Sequence, residues 1–422
     1  MKVKRYLVNK GNGTNSTHIS IVDDNWIPIS PYISNYLRAC SSGQPNTRAK
    51  HAEDLHFLLT FLNAQNKGNG IDIISRAESG EFLNRKEVNR FVEAAKNRKS
   101  NIGKTNQKQK FTNKSLQNAI HSSQIGNARV SAGATSSRLR VAIKFIAFLF
   151  EEIHGKYYAS KETCANFNQV VAILSEEKES IKSFNTTVQE PESKIPPKKY
   201  LQLLEVIQPD SPNNPFKHSK TRNCLIVQLL LATGIRRGAI AKLKISDCKF
   251  HGTGDTIYIT RTPDDPSDTR RIKPAQKTKT HPSYVDPELM DNLNHYIEYQ
   301  RSRFPASQTH EFVFVAEMDS KGTKGMPLSV NQINYMFDKI SDAINFKLHP
   351  HLTRYKFNEI FTEETAGMSG EAVSKLRKHI NGWSKTSDMD EIYNQFKLNI
   401  EAKEAMRNRQ SEIMNAGRKN AK

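Results

Sequence analysis

The stretch "SFNTTVQEPESKIPPKKY" (183–200) limits the fold more than any other. It is polar and carries Pro191, Pro196 and Pro197. Each proline removes a backbone donor and fixes φ, so neither a helix nor a strand runs through it unbroken. We place an interdomain linker at 186–197. The segments on either side must therefore bury separate cores, as a chain of 422 residues has the length to do.

Upstream, "TRAKHAEDLHFLLTFLNAQ" sets Leu55, Leu58, Leu59 and Leu62 at helical spacing. "SRLRVAIKFIAFLFEEIHG" sets Leu139, Ile143, Phe145, Ile146 and Phe150 on a broad apolar face. A helical domain is expected over 36–185. The first 35 residues look strand-like but irregular, an arm or a tail over that domain. Between the helices, 84–115 is rich in Lys and Arg with only Glu87 and Glu93 to oppose them. The run is either a solvated face or a phosphate-contacting surface. The candidates there are Arg85, Lys86, Arg90, Lys96, Arg98, Lys99 and Lys104.

Charge decides how such runs are read. With 63 Lys and Arg against 43 Asp and Glu, the formal net charge is +20. A surplus of that size points to a polyanionic partner, nucleic acid ahead of a membrane surface. No stretch approaches the ~18 apolar residues of a membrane span. "MKVKRYLVNKGNG" lacks the apolar run of a secretory signal. Cys40, Cys164, Cys224 and Cys248 are scattered, which argues against a disulfide framework or zinc site and fits a reducing cytoplasm.

Downstream, "RNCLIVQLLLATG" predicts a helix with Leu225, Ile226, Leu229 and Leu230 on one face and Gly234 as its C-cap. "DTIYITRT" and "RRIKPAQKTKTHPSYVD" predict short strands around a turn. Further helices follow over "DPELMDNLNHYIEYQRSRF", "PLSVNQINYMFDKISDAI", with Ser329 as N-cap, and "SGEAVSKLRKHI". This domain is mostly helical with a small sheet.

Three features carry chemistry. "LLLATGIRRGAIAKLKISD" puts Arg236 and Arg237 after an apolar run and a glycine, where a cation is costly unless an anion meets it. At a helix start, backbone N–H groups favour that anion, and a guanidinium grips two of its oxygens. In "HPHLTRYKFNEIF", His351 and Arg354 are three apart and share a helix face. His349 and His351 have no neighbouring carboxylate or thiol cluster, so no metal site is expected. "NGWSKTSDMDEIYNQF" contributes Trp383 and Tyr393, neither informative alone.

Their order is informative. T-G-x-R, a hairpin Lys, H-x-x-R, G-[H/W] and then Tyr resembles the tyrosine recombinase (phage-type integrase) family over about 195–396. The resemblance implies a mostly α fold with a small antiparallel β-sheet in the catalytic domain (198–396). A helical core-binding domain would precede it, the two forming a C-shaped clamp on DNA. It assigns Arg236, His351, Arg354, Trp383 and the nucleophile Tyr393. Among Lys273, Lys277 and Lys279, the family's K-T turn followed by Pro287 selects Lys279, with Lys277 next. Two positions depart from the pattern. Ala239 stands where many members carry an acid three after the first arginine. The Trp383 to Tyr393 spacing is one longer than the family's usual one.

The implied chemistry is physically coherent. Two arginines clamp the non-bridging oxygens of a phosphodiester. A phenol with a pKa near 10 attacks once a base such as His351 takes its proton. A lysine protonates the leaving 5′ oxygen, and Trp383 donates one hydrogen bond or buttresses the site. No cofactor or metal is then required. Arg237 is expected on a neighbouring phosphate or on an acid of the protein. The resemblance further implies duplex DNA with a specific site, a homo-tetramer on paired sites and an optional accessory DNA-bending factor. It also implies a mobile-element role and a cytoplasmic, nucleoid-associated location, with no membrane. Residues 397–422 would dock on a neighbouring protomer. The alternatives are a catalytically inactive site-specific DNA-binding protein on the same scaffold and a type IB topoisomerase-like relaxing enzyme.

Overall fold

The computed structural model describes residues 1–9, 15–40, 44–65, 69–97, 129–183, 194–250, 255–387, 389–390, 406–407 and 409–410. It divides into two compact units, Met1–Val188 and Gln189–Lys422. The division falls inside the proline-bearing stretch.

The first unit opens with a hairpin. β1 (Lys2–Asn9) pairs antiparallel with β2 (Asn15–Val22), in register from Lys2 opposite Val22 to Asn9 opposite Asn15. The irregular segment expected here is thus a regular two-stranded ribbon. Pairing satisfies its backbone, and burial of Ile21 and Val22 anchors it to the helices. α1 (Pro31–Ala39), α2 (Pro45–Asn63), α3 (Ile73–Ser79), α4 (Arg85–Ala95), α5 (Ala132–Tyr158) and α6 (Lys161–Ser183) follow. Leu55, Leu58, Phe91, Leu139, Phe145 and Ile146 are fully enclosed in one core. Burying each such side chain contributes roughly 1.5–3 kcal/mol. The core tolerates the Asp54 carboxylate because Ser137 donates to it at 2.7 Å and Lys50 pairs with it at 2.8 Å.

The second unit comprises α7 (Pro197–Val206), α8 (Lys220–Thr233), α9 (Arg237–Lys242), β3 (Cys248–Lys249), β4 (Thr256–Ile259) and β5 (His281–Tyr284). α10 (Pro287–His295), α11 (Val330–Ile344), α12 (Pro350–Glu364) and α13 (Gly370–Ile380) complete it. α8 is the central helix. Cys224, Leu225, Ile226, Val227, Leu229, Leu230 and Leu231 are all buried, so it is covered on more than the single face expected. It packs against α9, α10 and α12. The sheet order is β3-β4-β5, all antiparallel.

β4 and β5 are not joined by a tight turn. Residues 260–280 leave the sheet, run over α9 and return. Ion pairs hold the outgoing half. Arg270 grips Asp268 with two nitrogens, at 2.9 and 2.8 Å, and donates to the Ala241 and Leu328 carbonyls. Lys273 is buried against Asp264 and the Asp265 carbonyl, both at 2.8 Å. Gly238 on α9 lies beneath the loop, where a Cβ would come within 2.4 Å of the Ala275 carbonyl oxygen. Among the described residues, no helix is long and apolar enough to cross a membrane.

Candidate active site

The site is built where α8 ends. Gly234 takes the left-handed conformation, φ 61°, and a Cβ there would lie 2.3 Å from the Phe357 ring. Only glycine fits, which explains the T-G step in the sequence. The chain then turns so that Arg236 is the extended N-cap of α9 and Arg237 its first residue. Arg237 is exposed, and its Nη1 donates to Asn334 Oδ1 on α11 at 2.6 Å. Its partner on the protein is thus an amide, and the alternative of a neighbouring phosphate stays open.

α12 brings the second arginine to the same turn. His349 is its N-cap and Pro350 its first residue, pre-set for a helix start. Arg354, only 2% exposed, donates through Nη1 to the Gly234 carbonyl at 2.5 Å. One buried guanidinium thus fixes the loop that carries the other. His351, one turn before Arg354, sits edge-on to Tyr355 with ring centroids 5.0 Å apart. His351 is exposed overall, yet desolvation by the packing around its ring lowers its pKa, and the charges of Arg354 and Arg236 lower it further, to about 4. It is a neutral imidazole at neutral pH.

α13 supplies the third wall. It ends in a Schellman motif: the Gly382 N–H donates to the His379 carbonyl and the Trp383 N–H to the Lys378 carbonyl. Gly382 has φ 62°. The motif turns the buried Trp383 back against Arg354, whose guanidinium carbon is 5.6 Å from the ring centroid.

The lysine loop closes on this turn. The Lys279 N–H donates to the Gly382 carbonyl at 3.0 Å. Lys277 and Lys279 are both exposed, whereas Lys273 is committed to its buried ion pair. The structure therefore gathers Arg236, Lys279, His351, Arg354 and Trp383 around the ends of α8 and α13 and the start of α12. Tyr393 lies outside the described residues. So do Arg98, Lys99 and Lys104 of the basic run. Arg85, Lys86 and Arg90 are exposed on α4, and Lys96, just past its end, pairs with Glu93 at 2.5 Å.

Sequence reasoning missed a buried polar network beneath the site. The Asn358 amide donates to the Arg354 carbonyl at 2.8 Å and accepts from Asn381 at 3.2 Å. Arg377, 1% exposed, donates to Asp390 at 2.7 Å and to Thr362 at 2.8 Å. This pair ties the segment just before Tyr393 to α13 and α12. Arg377 sits in "KLRKH", which reads as a solvated basic run, so the local sequence gave no signal. His281 on β5 was missed because its stretch reads only as a short strand beside a turn.

The phage integrase family matches residues 194–397. Among solved structures, the chain is similar to an integrase of the Tn1549 transposon in complex with a circular intermediate DNA. That likeness has 15% identity and a TM-score of 0.47, covering 86% of this chain and 93% of that one. It is also similar to the XerH site-specific recombinase bound to its difH substrate, at 14% identity and TM-score 0.45 over 86% and 92% of the two chains. A third likeness is a lambda integrase dimer bound to a core site, at 13% identity and TM-score 0.43 over 86% and 93%. No curated protein matches the chain. Residues 194–397 thus carry a phage integrase family domain.

Proposed function

We propose that this protein is a site-specific DNA recombinase that cuts and rejoins strands through a 3′-phosphotyrosine at Tyr393. The observation that carries the reading is the convergence of Arg236 and Arg354. Arg354 holds the Gly234 turn from which Arg236 projects, and His351 lies in the field of both.

The chemistry follows from that field. The two guanidiniums stabilise charge on the non-bridging oxygens as the phosphorane forms. The Tyr393 oxygen attacks phosphorus, the bond to the 5′ oxygen breaks, and the phosphodiester energy is kept in the tyrosyl ester. Neutral His351 is able to take the phenolic proton, and a bound phosphate raises its proton affinity by offsetting the arginine charges. Lys279 gives a proton to the leaving 5′ oxygen. Trp383 neither gives nor takes a proton; it packs on Arg354 and keeps water from it. Exposed cations of α4 and Arg237 contact flanking phosphates. The active unit on paired sites is a homo-tetramer serving a mobile element, in the compartment that holds the chromosome.

The test uses nicked suicide duplex carrying the sequence that the purified protein enriches from a random DNA pool, in EDTA. A covalent adduct on a denaturing gel is expected, and Tyr393→Phe abolishes it. An adduct that survives in Tyr393→Phe moves the nucleophile to another tyrosine. Specific binding without any adduct favours the catalytically inactive DNA-binding reading. Relaxation of plasmid lacking the site favours the topoisomerase-like one.

A further inference from the structure

His281 lies on β5, opposite Ile259, and is buried. Its Nδ1 is 2.8 Å from the Lys279 carbonyl oxygen. A carbonyl only accepts, so Nδ1 carries the proton and donates it. On the other side of the same residue, the Lys279 N–H donates to the Gly382 carbonyl. The third interaction is steric. A Cβ on Gly382 would lie 2.2 Å from Nδ1 and 2.6 Å from Cε1 of His281, so the imidazole rests directly on the backbone of the turn that ends α13.

We propose that His281 is a positioning residue whose imidazole clasps the main chain of Lys279 against the Gly382 turn, and so fixes where the lysine ammonium is delivered. The inference deepens the function proposed above and rests on it, since it concerns Lys279 as the proton donor. Residues 260–280 would otherwise cost considerable entropy to order. The ion pairs of Arg270 and Lys273 hold the outgoing half. The clasp holds the returning end, so both the N–H and the carbonyl of Lys279 are fixed and only its side-chain rotamers remain to be set. Burial, and after it the charges of Arg354, His379 and Arg236, keep His281 neutral against the opposing effect of its own hydrogen bond. A neutral ring donates from Nδ1 without adding a cation beside Arg354.

The experiment compares wild type, His281→Ala, His281→Asn and Lys279→Ala on the same suicide duplex. Each is tested with an ordinary scissile phosphate and with a 5′-bridging phosphorothiolate, whose thiolate leaves without a proton. Site binding is measured in parallel. We expect His281→Ala to bind normally and to cleave the ordinary phosphate roughly 10- to 100-fold more slowly, as misplacement of a catalytic group does. The thiolate substrate restores both His281→Ala and Lys279→Ala to near the wild-type rate. His281→Asn keeps an N–H near the position of Nδ1 and stays within a few-fold of wild type on both. Wild-type cleavage of the ordinary phosphate by His281→Ala overturns the clasp. So does a His281→Ala defect that persists on the thiolate substrate while that of Lys279→Ala is rescued. If wild type forms no adduct on either substrate, the function itself is overturned and the clasp with it.

Discussion

Two sets of cations in this chain show opposite ways of using positive charge. Arg354 and Arg377 are 2% and 1% exposed, and each is held by named partners: the Gly234 carbonyl for one, Asp390 and Thr362 for the other. Arg85, Lys86 and Arg90 on α4 face solvent. α4 itself is fixed by Val88, Phe91 and Val92 on its buried face and by the Asn84–Glu87 capping box, none of which needs the cations. A buried guanidinium specifies a position and is costly to strand. An exposed one contributes a screened, interchangeable charge.

The comparison breaks most sharply at Arg377. Arg377→Met leaves the Asp390 carboxylate buried without its cation, and we expect a loss of roughly 3–5 kcal/mol in denaturant unfolding. Adding Asp390→Leu should recover much of it, because two apolar groups do not leave a stranded charge. A double variant as unstable as the single one would mean that the pair's geometry, not its charge, is what stability needs.

Acidification probes the desolvation of His351 and, after it, the field of Arg354 and Arg236. An unfolded histidine titrates near 6.5, whereas folded His351 does so at about 4. Between those values the unfolded chain binds more protons. The stability from this group is therefore complete above pH 6.5 and is lost as pH falls towards 4. Urea midpoints should fall further between pH 7 and pH 5 for wild type than for His351→Gln. Equal falls would mean that neither desolvation nor the charges of Arg354 and Arg236 lower the proton affinity of the ring.

The smallest effect is expected on α4. Arg85→Gln, Lys86→Gln and Arg90→Gln together should leave folding unchanged. They should also lower the slope of log binding constant against log salt by about one for each phosphate that is no longer neutralised. An unchanged slope would assign those cations to a solvated face and shift attention to other basic surfaces.

The sequence by itself determined the elements and the candidates. Helical spacing of leucines, Ser329 as an N-cap and Gly234 as a C-cap are local matters of backbone geometry, and each is found where its chemistry predicts it. The order of the arginine, histidine and tryptophan boxes was likewise legible, because it is a property of the chain. What brings the boxes together is not. That Arg354 holds the Gly234 carbonyl across 120 residues of chain, that Arg377 is buried on Asp390, and that His281 rests on Gly382 depend on packing between segments far apart in sequence. A cation in a basic run looks solvated until packing removes its water. The same residue types on α4 and under the site were alike in the sequence, and only burial, which the tertiary structure alone sets, told them apart.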